Sequence, residues 1–189
     1  MSEKMMPGTV VPYKDGAGMF SVFEPMIEAT GGLTLAQVCA ITGLEYSSIQ
    51  NWVKRGFVPH PIEKKYLGRH LARIMLICIL RDSMKIDTIG DLMRIINGDT
   101  DDESDDIISE EGLYDYFCTM ISDIETAEFS REEIMKRARD ITMDYEPPDE
   151  EARERLASAL TIMTLAYISG QLIRYAENDL EKLKEKLGG

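Results

Sequence analysis

From Pro147-Pro148-Asp149 the sequence runs to Leu187 without another proline, and Leu156, Leu160, Met163, Leu165, Ile168, Leu172, Ala176, Leu180, Leu183 and Leu187 recur mostly at intervals of three and four. That spacing puts apolar residues along one side of a helix, from about Glu150 to Leu187. A helix of that length needs burial along most of its face, more than a short helical domain alone can supply, so residues 150–187 are expected to build a homodimer. The other segments repeat the helical signature. Met19 to Thr30 is amphipathic and ends at Gly31-Gly32; Thr34 caps a run with Leu35, Val38 and Cys39 that ends at Gly43. A further helix spans Ser47 to Arg55, and Pro59 and Pro61 exclude helix from the stretch after it. His70 to Ser83 is almost wholly apolar, Thr88 to Ile96 carries Ile89, Leu92, Met93 and Ile96 on one stripe, and Ser109 to Thr126 carries Leu113, Tyr116, Phe117 and Met120. Ser130 and Glu133 form a capping box for another helix. No β-rich segment appears, so the fold class expected is all-α.

Charge divides the chain unevenly. Of 189 residues 29% are charged and the formal net charge is -13, yet residues 31–83 hold seven basic and three acidic side chains while residues 84–189 hold twelve and twenty-seven. A basic front segment on an acidic body suggests a polyanion partner for that segment alone. The most acidic stretch, GDTDDESDDIISEE at 98–111, reads as a linker. Its carboxylates approach a calcium-loop spacing, but Ser104 stands where the sharp turn needs glycine. The organisation expected is an N-terminal extension with a short helix at 1–30, a DNA-binding domain at 31–98, an acidic linker at 99–108, and a helical domain at 109–189.

Within the basic segment, two short helices separated by the turn GLEY have the proportions of a helix-turn-helix. Tyr46, Ile49 and Val53, flanked by Trp52, would pack on the first helix, leaving Ser47, Gln50, Asn51, Lys54 and Arg55 outward. Glutamine and asparagine pair with adenine edges, and lysine and arginine with guanine or phosphate, so this set suits a duplex groove. The basic loop beyond the second helix, with Lys64, Lys65, Tyr66 and Arg69, is placed as a wing on the sugar-phosphate backbone.

Ser48-Ile49-Gln50-Asn51-Trp52, then Val53-Lys54-Arg55, Gly56-Phe57-Val58 and Lys64-Lys65-Tyr66, resemble the winged helix-turn-helix domain of MerR-type bacterial regulators. The Gln-Asn-Trp version is similar to an uncharacterised bacterial family of presumed regulators distantly related to MerR. The resemblance covers residues 33–97. It implies a sequence-specific transcriptional regulator that binds double-stranded DNA as a homodimer, with the C-terminal helices serving dimerisation and offering a place for a small-molecule effector. Gln50 and Asn51 replace the arginine and tyrosine of the family pattern, and the cysteine pattern of its metal-sensing members is missing. The alternative is a protein-interaction module that keeps the scaffold without binding DNA.

Catalysis is not expected. His60 and His70 have no nucleophile beside them in a motif-like setting, and no glycine loop matches a nucleotide fingerprint. No cofactor or metal is implied, and Cys39, Cys78 and Cys118 read as reduced core residues. The longest uncharged run, Leu156 to Ile173, is shorter than the ~20 apolar residues of a membrane span. No secretory signal is read at the N-terminus, so no membrane partner and a cytoplasmic location are expected.

Overall fold

The computed structural model describes residues 5–12, 19–122, 130–149 and 151–187, and among them the chain is all-α, with three isolated β-bridges. A short 3-10 turn at Phe20–Val22 leads into α1 (Glu24–Thr30), followed by α2 (Leu35–Thr42), α3 (Tyr46–Lys54), α4 (Gly68–Leu80), α5 (Ile86–Asn97), α6 (Glu110–Ser122), α7 (Arg131–Ile141) and α8 (Ala152–Leu187). The expected starts hold to within a few residues, because the caps are real. Thr34 and Gln37 make a reciprocal capping box at α2, and Ser130 and Glu133 do the same at α7. Asp149 Oδ1 accepts from the backbone N–H groups of Glu151 and Ala152 at 2.9 and 2.8 Å, which anchors the start of α8. Residues 123–126, expected as helix, and Glu150 lie outside the described residues.

α4 is the centre of the molecule. It packs against α2, α5, α6 and α8, and Leu71, Ala72, Ile74, Met75, Leu76 and Ile77 are all buried, as its nearly all-apolar sequence requires. Residues 5–12, expected only as an extension, form a tight turn built into this core. Val10 N–H donates to Ile41 O at 2.9 Å, Tyr114 Oη donates to Pro7 O at 2.9 Å, and Met6 is buried. Gly8 makes the turn possible: its φ is +74°, and a Cβ there would lie 2.4 Å from Met75 O.

Within one chain the apolar face of α8 is covered over only part of its length: Leu156, Leu160, Met163 and Ile168 are in the core, whereas Leu172, Ile173, Leu180 and Leu183 are 46–55% exposed. The bundle against which α8 packs ends near Gly170, so the last turns project beyond it. α8 is also long and apolar enough by composition to cross a membrane, but 56% of its most apolar window is buried inside the molecule. One expectation on α3 needs correction. Tyr46 and Trp52 lie on opposite flanks of the Ile49 face, and the helix is rolled toward Trp52: Trp52 is buried and Tyr46 is 51% exposed. The larger apolar ring wins the interior, and the phenol stays in water.

The acidic segment expected as a linker is a packed loop. Ile107 N–H donates to Ile96 O at 2.9 Å, Asn97 Nδ2 donates to Ile108 O at 2.6 Å, and Tyr145 Oη donates to Ile107 O. Beneath it lies a buried ion pair. Arg73 and Glu110 are 1% and 2% exposed, and Arg73 Nη1 lies 3.4 Å from Glu110 Oε1. Arg73 Nε also donates to Phe57 O at 3.1 Å, and its Nη2 to Thr100 Oγ1 at 3.4 Å, while Thr100 Oγ1 donates to Gly56 O at 3.0 Å. Burial pushes the guanidinium down and the carboxyl up, and their mutual attraction opposes both shifts. Removing one partner leaves the other charge buried and alone. Arg73→Met is therefore expected to lower stability by about 3–5 kcal/mol in urea unfolding, and Arg73→Met with Glu110→Leu to recover most of that loss.

Candidate nucleic-acid interface

The site begins with the junction of α2 and α3. Gly43, at φ +71°, ends α2 with its N–H bonded to Cys39 O at 2.8 Å, and α3 restarts three residues later. Ile49 and Trp52 fix α3 to the core, so Ser47, Gln50, Asn51 and Lys54, at intervals of three, one and three, point outward together and are exposed. Arg55, just past the helix, is exposed but engaged. Its Nη2 donates to Asp87 Oδ1 at 2.8 Å, and its guanidinium lies 4.6 Å over the Phe57 ring.

The loop after α3 closes as a two-residue hairpin. Ile62 and Lys65 exchange N–H···O bonds of 3.0 and 2.8 Å across Glu63 and Lys64, whose φ values are +49° and +65°. Two left-handed residues at the tip match the twist of a tight hairpin, although neither is the glycine or asparagine such a turn favours. Leu33 and Tyr66 then exchange bonds of 2.8 Å, tying the hairpin to the start of α2. Gly32, at φ +106°, lets the two segments approach, since a Cβ there would stand 2.9 Å from Lys65 Cβ.

The hairpin separates the four wing residues by role. Lys64 stands exposed at the tip. Lys65 turns back, its Nζ donating to Thr30 O and Gly32 O at 3.3 Å each. Tyr66 is buried, with its ring edge-on to His70 at 5.7 Å. Arg69 is only 11% exposed, paired with Glu103 and donating to Thr100 O at 2.6 Å. The structure thus brings Ser47, Gln50, Asn51, Lys54 and Lys64 to the outer surface and withholds Lys65, Tyr66 and Arg69.

The acidic loop that holds Arg69 also reaches the segment before the hairpin. Asp101 accepts from the backbone N–H of His60 at 2.8 Å and faces its Nδ1 at 2.9 Å, contacts that hold the Asp101 carboxyl below its usual range. His70, beneath, accepts from Leu67 N–H at Nδ1 and donates from Nε2 to His60 O, both at 3.0 Å; burial lowers its pKa and keeps it neutral. Two cations that sequence spacing did not single out flank α3. Arg81 and Lys85 line, with Trp52, an open groove of about 500 Å³, and among the described residues neither makes an ion pair. Only the packing of the α4–α5 turn against Trp52 brings them there, and no local sequence signal marks it.

Residues 33–117 match a family model described as a domain of unknown function, DUF1836. The chain is similar to an uncharacterized protein, YkrK, of Bacillus subtilis (strain 168), at 29% identity over 85 residues, 43% of this chain and 36% of that protein. The chain therefore covers about a third of that relative's length. No solved structure matches. The matched span opens at Leu33, where the hairpin is tied to α2, and closes within α6, so it includes the acidic loop as well as the helices it covers.

Within that loop Asp106 is half-buried, and burial followed by the nearby Glu110 carboxylate pushes its carboxyl up to about 6. Its pKa is higher folded than unfolded, so its contribution to stability is full below about pH 4 and is lost as pH rises through about 6. Asp106→Asn should accordingly raise the melting temperature at pH 7 and change it little at pH 4, as calorimetry at the two pH values will show.

Proposed function

We propose that this chain is a non-enzymatic, sequence-specific DNA-binding regulator of the MerR-like winged helix-turn-helix kind, reading duplex DNA in the bacterial cytoplasm as a homodimer. The observation that carries the reading is the outward set Ser47, Gln50, Asn51 and Lys54, borne by a helix anchored at Ile49 and Trp52 and continued by Lys64 at the hairpin tip. Glutamine and asparagine supply the base-edge contacts, and Lys54, Lys64, Lys85 and Arg81 the phosphate contacts. The acidic body limits affinity for duplexes in general, because its carboxylates already occupy Arg55, His60 and Arg69 and lie within a Debye length, ~10 Å, of the same surface.

A second reading, a protein-interaction module on the same scaffold, draws on Tyr46 and Ile62, which are exposed beside the polar face. Salt dependence separates the two. Lys64→Ala is expected to weaken every duplex alike and to reduce the slope of log affinity against log salt by about 0.9; Lys65→Ala should do less, because its ammonium is spent on backbone carbonyls. Gln50→Ala or Asn51→Ala should cost about 1–3 kcal/mol on the preferred site and leave the slope unchanged. Asp101→Asn with Glu103→Gln should tighten binding to random duplex. Duplex binding that none of these changes alters moves the interaction-module reading ahead.

Dimerisation is assigned to the projecting half of α8, where Leu172, Ile173, Leu180 and Leu183 are uncovered. A chain ending at Gly170 keeps the buried part of that helix. It should keep the far-ultraviolet circular dichroism of a folded bundle and run as a monomer in light scattering, whereas the intact chain runs as a dimer.

A further inference from the structure

A cleft of about 600 Å³ lies on the side of the molecule formed by the 5–12 turn, the C-terminal ends of α4 and α6, and the middle of α8. Its volume falls within the range of small-molecule sites. The walls mix soft apolar groups, Met6, Cys78, Cys118 and Tyr167, with polar ones, among them Thr9, Thr42 and Gln171. Burial pushes Cys78 up to about 11 and Cys118 up to about 12, so both are neutral thiols that behave as small apolar groups. The mouth is charged. Arg174 Nη1 lies 3.3 Å from Asp82 Oδ2, both half-exposed, and Arg81 stands beside them with no ion pair among the described residues. Two guanidinium groups against one carboxylate leave a single positive charge. The carbonyl ends of α4 and α6 face the same region and oppose a second negative charge on any occupant.

We propose that this cleft binds a small amphipathic monoanion, its apolar body between the N-terminal turn and α8 and its carboxylate-type head on Arg81 and Arg174. The site is separate from the outer face of α3 and does not depend on that face binding DNA. Because Arg81 also lines the groove beside Trp52, an occupant would touch the same arginine that flanks α3.

Isothermal titration of the intact protein with decanoate, and with decanamide as its neutral counterpart, tests the assignment. Decanoate is expected to bind at least about tenfold more tightly than decanamide, as a charge-assisted contact requires. Arg174→Gln and Arg81→Gln should each weaken decanoate by about tenfold and leave decanamide alone, and Asp82→Asn should tighten decanoate by removing the opposing charge. Gln171→Trp, at the rim, should block both compounds; if that variant does not fold, the three charge variants decide the matter. Absence of decanoate binding, equal binding of the amide, or charge variants that bind as the parent does would overturn the proposal. Duplex affinity plays no part in these measurements, so their failure leaves the reading of α3 untouched.

Discussion

The arrangement of the whole basic segment depends on one buried charge pair. Arg73 sits on the central helix with its guanidinium out of water, and it is satisfied from three directions: by Glu110 at the start of α6, by Phe57 O at the root of the hairpin, and by Thr100 in the acidic loop. A lone arginine there would carry a desolvation cost of several kcal/mol, so its partners must be present together for the site to be stable. That requirement links three segments far apart in sequence and sets where the hairpin leaves α3. Thr100 extends the link by bonding Gly56 O, so the end of α3 and the acidic loop share one network.

The same network reconciles a basic segment with an acidic protein. Carboxylates of the C-terminal side reach back to Arg55, His60 and Arg69, and the positive charge left outward is a narrow set around Lys54, Lys64, Arg81 and Lys85. For the proposed polyanion binding this would restrict nonspecific affinity more than specific recognition, since base-edge contacts by uncharged Gln50 and Asn51 would not rely on net charge. The loop that does the restricting lies inside the span matched by the family model.

Much of the fold was legible in the sequence wherever local chemistry decides it. Thr34, Gly43 and Ser130 announce helix ends through caps and left-handed turns, and the nearly all-apolar run of α4 announces a helix buried on most sides. The parts decided by long-range packing were not legible. Periodicity says that α8 has an apolar face but not where its neighbours stop, so the exposure beyond Gly170 had no local sign. Composition marks residues 99–108 as solvated, yet Asp101 and Glu103 find His60 and Arg69, some thirty to forty residues upstream, which only the tertiary fold places under them. For the candidate site, the outward stripe of α3 comes from spacing, whereas the withdrawal of Lys65 and Tyr66 comes from a hairpin whose turn residues, Glu63 and Lys64, carry no turn signature, and that of Arg69 from the acidic loop.

The claim on which the account rests is that duplex DNA meets the outer face of α3 and the hairpin tip. Titrating the isotopically labelled protein with a short random duplex at low salt, and monitoring backbone amide shifts, tests it most directly. The account predicts that the largest changes fall at Ser47, Gln50, Asn51, Lys54 and Lys64, with smaller ones at Arg81 and Lys85, and that residues 172–187 stay unchanged. Shifts confined to α7 and α8, or none at any duplex concentration, would contradict it.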